Sequence, residues 1–320
     1  MSMSRFQKWT RALVIYTLLV ILWGAWVRIS HSGDGCGDTW PLCQGKIIPD
    51  AQQGKTWVEL SHRVMSGLYG FLVLGFFFWA RKLFPKGHKA RFWAGLSLLF
   101  TVTEALLGAK LVLFKLVGTN DTPYRALIMG LHLVNSLLLT GSVTLTGDFA
   151  GARSWIARTS SPWTFEGLKP KRIVSGLLLS FFLIGISGAI AALASTLFPS
   201  TSLLEGFQAD WNTESHYLIR WRGLHPLFGI LFGGSIALTA WLSIQLQKPE
   251  ELELARRGKR LALVTGLGVA FGIGTLVLLS PTWMKLSHLA LAHGVWIFLV
   301  LWIREVLLRA ENAASFSERR

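Results

Sequence analysis

The 320-residue chain reads as an all-α integral membrane protein, with eight transmembrane helices as two pseudo-symmetric four-helix bundles. Three observations predict this. Hydrophobic residues make up 52% of the chain and charged residues only 15%, with a mean hydropathy of +0.46. Apolar runs recur, each near the ~20 residues needed to cross a bilayer core. The features of the first four runs also return, in the same order, in the last four. A net charge of +15 could draw nucleic acid. Here, though, Lys and Arg sit in short links between apolar runs, which is the topology signal of a membrane protein and argues against a nucleic-acid partner.

The runs cover about 12–30, 58–80, 92–114, 125–146, 173–196, 220–244, 261–279 and 284–307. The first follows Arg5, Lys8 and Arg11, as a signal peptide would, but lacks a small-residue cleavage site and reads as a retained helix. Basic residues crowd three links: Arg81, Lys82, Lys86, Lys89 and Arg91 after the second run, Arg153, Arg158, Lys169, Lys171 and Arg172 after the fourth, and Lys248, Arg256, Arg257, Lys259 and Arg260 after the sixth. The positive-inside rule makes these links and both termini cytoplasmic, in a cell membrane. The link between the fifth and sixth runs, with Glu205, Asp210 and Glu214, falls outside.

The repeat divides the chain into an N-terminal half, 1–150, a basic linker, 151–171, and a C-terminal half, 172–320. Gly24-Ala25 returns as Gly188-Ala189, and the glycines Gly108 and Gly272 end matching stretches of the third and seventh runs. His62 aligns with His225 and His132 with His288. Parallel repeats of this kind are a recurring plan of membrane proteins.

Those four histidines lie at a common depth, roughly five to eight residues inside the outer ends of even-numbered helices, or about 8–12 Å. A lone intramembrane histidine reads first as a packed, hydrogen-bonded residue. Four at one depth, two per repeat, point to a ligand. Zinc is disfavoured because its Cys/His spacings are absent. Haem iron suits imidazoles from facing helices, one haem per half: His62 with His132, and His225 with His288. His293 is five residues past His288 on a different face and lacks a counterpart in the repeat. His31, His88 and His216 read as solvated polar residues.

Glu59 precedes His62 by three residues, a spacing that puts both on one helix face. Arg222 stands at the matching place before His225. An acid beside the ligand can move protons, whereas an arginine suits a carboxylate or propionate. The reactive site is therefore expected in the N-terminal half. Glu59 pairing only with Arg63 is the plainer alternative. Glu104, mid-way along the third run, is expected to pair with Lys110 or sit among Thr101 and Thr103. Cys36 and Cys43 share the outer loop, where a disulfide is favoured, either as a structural staple or as a redox-active pair.

Taken together, Gly24-Ala25-Trp26-Val27-Arg28-Ile29-Ser30, the Cys36…Trp40-Pro41-Leu42-Cys43-Gln44-Gly45 loop, Glu59-Leu60-Ser61-His62-Arg63 and the regions around His132, His225 and His288 resemble the haem A synthase family. The resemblance covers nearly the whole chain. It implies oxidation of a ring methyl of haem O to the formyl group of haem A, by stepwise hydroxylation and loss of water. It implies His62 and His132 as haem O ligands, Glu59 as catalytic acid, His225 and His288 as axial ligands of a haem b (iron) cofactor, and Cys36–Cys43 as a disulfide. The implied partners are haem O synthase, the assembling terminal oxidase and an unidentified electron partner. The chain departs from the family pattern at Glu104, where Gln is usual, and at Pro226, where Arg is usual. Two rival readings are a di-haem electron-transfer or quinol-oxidising protein, and a haem carrier or assembly factor. A prenyltransferase is disfavoured because no aspartate-rich pyrophosphate motif lies in the runs.

Overall fold

The computed structural model describes residues 4–50, 53–151, 170–245 and 252–317. The linker expected at 151–171 lies almost wholly outside these residues. Eight helices are long and apolar enough to cross a membrane, and the described residues form no β-strand beyond an isolated bridge between Cys43 and Lys46. The chain is a multi-pass membrane protein.

The helices are α1 (Arg5–Ile29), α2 (Gly54–Leu83), α3 (Lys89–Leu113), α4 (Pro123–Gly151), α5 (Pro170–Leu197), the short α6 (Leu203–Trp211) and α7 (Tyr217–Arg222), α8 (Leu224–Gln245), α9 (Leu252–Val277) and α10 (Thr282–Ser317). They run past the apolar windows because their charged ends still extend the helix. A capping box made by Ser4 and Gln7 starts α1 among basic residues. Pro123 opens α4, with Thr122 Oγ1 accepting from Arg125 N at 3.3 Å. His88 and His216, expected to be merely solvated, are helix caps: each Nδ1 accepts a backbone N–H two residues on. The sixth span is α7 and α8 joined at Gly223. Pro226 has no N–H for the Arg222 carbonyl, which accounts for the break there.

Exposure is inverted relative to a soluble protein. Large apolar side chains such as Phe71, Leu106, Leu231 and Leu263 face outward, whereas Thr10, Thr17, Ser97, Thr140 and Ser243 are buried. Their hydroxyls are affordable inside because the helix satisfies them: Thr10, Thr17 and Thr140 each donate to the carbonyl four residues back. Small and hydroxylated residues then let helices approach closely. On α6, Leu204, Phe207 and Trp211 stay exposed one turn apart, the pattern of a helix lying in a membrane interface.

Neighbouring helices close two rings, α1–α2–α3–α4 and α5–α8–α9–α10, which meet where α4 and α1 pack on α5 and α10. Gly141 makes the seam possible. Trp296 Nε1 donates to Leu137 O at 2.5 Å, and a Cβ on Gly141 would stand 2.9 Å from that nitrogen. At the end remote from the cysteine loop, a buried charge network ties α4, α9 and α10. Asp148 takes Arg257 and Arg304, both at 2.9 Å, while Glu253 pairs with Arg257 and Glu305 with Arg304 and Arg309.

Candidate functional site

Each of the four depth-matched histidines is packed against a glycine on the preceding long helix. A Cβ on Gly24 would lie 2.9 Å from His62 Cε1, and one on Gly188 the same distance from His225 Cε1. On Gly272 it would lie 3.0 Å from His288 Cε1, and on Gly108 4.0 Å from His132 Nε2. Real Cβ atoms do not come as close as those at Gly24 and Gly188 would, and one at Gly272 would crowd its imidazole, so glycine lets each of these rings pack tightly on the neighbouring helix. The glycine repeat and the histidine repeat are thus parts of one device.

In the C-terminal ring the imidazoles of His225 and His288 stand edge-on to each other, centroids 5.9 Å apart and planes at 69°. Metal–imidazole bonds of about 2 Å on either side of one ion would bring the two centroids to about 6 Å. Ser187 Oγ lies 3.4 Å from His225 Nδ1, and the carbonyls of Ile184 and Gly268 stand beside His225 and His288. Groups of this kind fix the tautomer of a ligating histidine. Among the described residues no three His, Cys, Asp or Glu side chains converge as a bare-ion site. Two imidazoles without a third donor fit a metal that brings its own equatorial ligands, as haem does. His293, by contrast, is buried against α4, its Nδ1 3.4 Å from Thr140 Oγ1.

The N-terminal ring holds the same histidines with acids added. Glu104 Oε1 is 3.1 Å from His132 Nδ1, and its Oε2 accepts from Asn135 Nδ2 at 2.6 Å. Asn135 also accepts from Thr103 through Oδ1 and donates to Phe100 O. Lys110 is not its partner; a histidine on the facing helix is. Sequence reasoning missed this contact, although an acid in mid-span and an amide one turn from His132 were its visible signs. His62 lies within electrostatic reach of both His132 and Glu104.

Glu59 is nearly fully buried, and its carboxylate is taken up by the cysteine loop. Oε2 accepts from Cys36 N at 2.8 Å, and Oε1 from Arg63 Nη2 and Nε at 2.5 and 3.1 Å. Arg63 Nη1 reaches on to the carbonyls of Thr39 and Leu42, both at 2.7 Å. The Glu-x-x-His-Arg element therefore works on two sides: Glu59 and Arg63 hold the loop down, while His62 lies against Gly24. The loop closes through a disulfide between Cys36 and Cys43. Gly35 lets it touch α2, since a Cβ there would lie 2.5 Å from the Lys55 backbone.

Arg222, expected to hold a ligand's carboxylate, is engaged by one of the protein's own. Asp210 of α6 accepts from its Nε at 2.9 Å and Nη2 at 2.6 Å, the Gly206 carbonyl also accepts from Nη2, and that of Phe198 accepts from Nη1.

Compared with known proteins, residues 7–300 match a family model described as cytochrome oxidase assembly protein (COX15-CtaA). A Thermus thermophilus protein named protoheme IX farnesyltransferase is 37% identical over 316 residues, 98% of this chain and 50% of that protein. Heme A synthase of Symbiobacterium thermophilum is 30% identical over 305 residues, 87% of this chain and 88% of its own. Heme A synthase of Shouchella clausii is 40% identical over 128 residues, 40% of each chain. The chain spans about half the length of the Thermus relatives it matches.

Proposed function

The chain belongs to the family of cytochrome oxidase assembly proteins, and from that premise we propose that it is a haem A synthase, oxidising a methyl group of haem O to the formyl group of haem A for terminal oxidases. The observation that carries the reading is the set of four glycine-packed histidines, one pair of which stands at the spacing of two imidazoles sharing a metal.

In this reading the C-terminal half holds haem b between His225 and His288, and the N-terminal half binds haem O through His62 and His132. Haem b supplies one-electron transfer when bound. The chain's own residues do the rest. Glu104 orients His132 and places negative charge on its Nδ1 side. Glu59 is the catalytic acid of the N-terminal half: it is the carboxylate nearest His62 in sequence, and it bridges that turn of α2 to the disulfide loop. Arg63 holds it in place. Both termini are cytoplasmic, with the disulfide loop on the outer side, in keeping with the distribution of Lys and Arg. Haem O synthase and the oxidase under assembly are the partners this chemistry implies, together with an electron partner.

Farnesyl transfer, the activity in the Thermus protein's name, finds no support here, since the spans carry no aspartate-rich pair to bind pyrophosphate. The test is to express the chain with a source of haem O and separate the extracted haems by chromatography. Haem A or a hydroxylated precursor is expected. A haem-loaded protein that makes neither would leave a di-haem electron carrier in its place.

A further inference from the structure

Buried charge is treated differently at the two ends of the bundle. At the end remote from the cysteine loop, Arg257, Arg304 and Arg309 are each matched by Asp148, Glu253 or Glu305. At the loop end, cations gather where α1, α4, α5 and α10 meet, and among the described residues the two central ones have no carboxylate. Arg28 Nη1 donates to Ala192 O at 2.6 Å and Thr196 Oγ1 at 3.1 Å, and Lys285 Nζ to Ser195 O at 3.3 Å. These partners are neutral groups on one turn of α5. Arg28 lies within electrostatic reach of both Lys285 and Arg125. Arg125 is 4% exposed, has a buried Nε without a partner, and feels Asp121, which itself sits 3.4 Å from His216 Nε2.

Helix polarity adds to the imbalance. Lys285 and Arg125 stand in the first turns of α10 and α4, where free N–H groups already present positive partial charge and a cation is unfavourable. Like charges drawn together away from water are costly unless an anion joins them. The cluster's height in the bundle indicates which anion. Arg28 is four residues past Gly24, which packs on His62, and Lys285 is three residues before His288. Each is therefore about one helical turn, roughly 5 Å, from a proposed haem ligand, on the loop side.

We infer that Arg28 and Lys285 form an anion site at the junction of the two halves that takes porphyrin carboxylates, Arg28 from the haem on His62 and Lys285 from the haem on His288. This rests on the haem reading above and adds an orientation to it. Both porphyrins stand with their carboxylate edges toward the cysteine loop, and those edges meet at one cluster of charge. Arg222, already neutralised by Asp210, is excluded from the role.

The test is a titration of the full chain, purified without haem in phosphatidylcholine micelles, with iron protoporphyrin IX and with its dimethyl ester. The ester removes both carboxylates and leaves the iron unchanged. The readout is the visible spectrum of the bis-imidazole complex. The free acid is expected to bind about tenfold or more tightly than the ester, as a desolvated charge pair requires. Arg28→Gln and Lys285→Gln should each bring the ratio toward one by weakening the acid, and Arg28→Lys should preserve most of it. Equal affinity of the unaltered protein for acid and ester overturns the inference and leaves the haem reading intact, whether or not any variant folds. So does an acid preference that survives in the double glutamine variant. A protein that takes up neither porphyrin overturns both. Phosphatidylglycerol in place of phosphatidylcholine tests the other source of an anion. An unchanged acid-to-ester ratio supports the porphyrin, and a ratio that collapses assigns the cluster to a lipid headgroup and overturns the inference.

Discussion

The two rings of helices carry the same four-part device, a histidine laid on a glycine twice over, but surround it differently. In the C-terminal ring His225 and His288 meet edge-on, and the polar contact to them among the described residues is a hydroxyl, that of Ser187. In the N-terminal ring a carboxylate touches His132, and a second, three residues before His62, is bonded to the loop. Each ring also has an acid–arginine pair at its loop end. In the N-terminal ring, Glu59 and Arg63 share one helix and hold the disulfide loop. In the C-terminal ring, Asp210 and Arg222 tie α6 to the start of the sixth span. Identical histidines in unlike surroundings suit the proposed division into a holding site and a working site: neutral neighbours favour retention of a cofactor, and carboxylates supply the proton chemistry that the proposed methyl oxidation needs.

The sharpest way to break this comparison is to remove ligands. His225→Ala or His288→Ala should abolish the haem b spectrum of the purified protein. His62→Ala or His132→Ala should leave that spectrum and abolish conversion of haem O. Loss of the same spectral component from both pairs would show that the division of labour is wrong. Next in size is the pair of acids at the mouths. Glu59→Ala leaves Arg63 buried without its partner and should cost about 3–5 kcal/mol as well as activity. Asp210→Ala breaks a more exposed pair and should cost about 1.5–3 kcal/mol, with haem conversion retained. Thermal unfolding in detergent and the haem assay measure the two separately.

A smaller effect is expected at Glu104. Glu104→Gln keeps a partner for Asn135 but removes the charge beside His132, and should weaken haem O binding or turnover by about 10–100-fold with the His225–His288 spectrum unchanged. An effect confined to the C-terminal spectrum would refute the assignment. Gly24→Ala and Gly188→Ala probe the shared part of the device. Each adds a methyl group against an imidazole, and each should cost about 1–3 kcal/mol. Unequal costs would mean that the two rings do not use their glycines alike. The smallest effect concerns the loop. A hydrogen bond from Lys115 holds the exposed Asp38 carboxyl below its ordinary range, across a 3.2 Å ion pair. A lowered native pKa contributes stability above the unfolded value and loses it as pH falls, so acid should release this tie below the ordinary carboxylate pKa of about 4. Asp38→Asn should flatten that small dependence in a thermal-unfolding series.

Much of this arrangement was legible in the sequence. Run length and the distribution of Lys and Arg delimit the spans, because a bilayer imposes a length and excludes charge. The common depth of His62, His132, His225 and His288 was visible because a helix converts residue number into height. What was not legible depends on the direction of side chains across helices. The Glu104–His132 contact joins residues on different helices, and no local periodicity records it. Gly24 and His62 each stand out in the sequence, but nothing in either segment says that one packs on the other. Spacing placed Glu59 on the face of His62, yet its carboxylate turns to the Cys36 N–H, a partner supplied by a loop whose path the sequence does not specify. The α6 helix escaped notice because a nine-residue amphipathic turn between spans is too short for a hydropathy signal.

The charge network remote from the loop bears on how such a chain is made. Asp148, at the end of the first ring, neutralises Arg257 and Arg304 of the last two helices. Chains emerge from the ribosome N-terminus first. For a time, then, α4 is in place with an acid whose counter-charges have not yet been synthesised, and α9 and α10 enter toward a partner that already awaits them. The two halves carry matching glycine–histidine contacts, but they are not interchangeable modules. A chain cut between them would leave the first piece with a half-buried carboxylate and no guanidinium beside it, and the second with three arginines sharing only Glu253 and Glu305, until the pieces met.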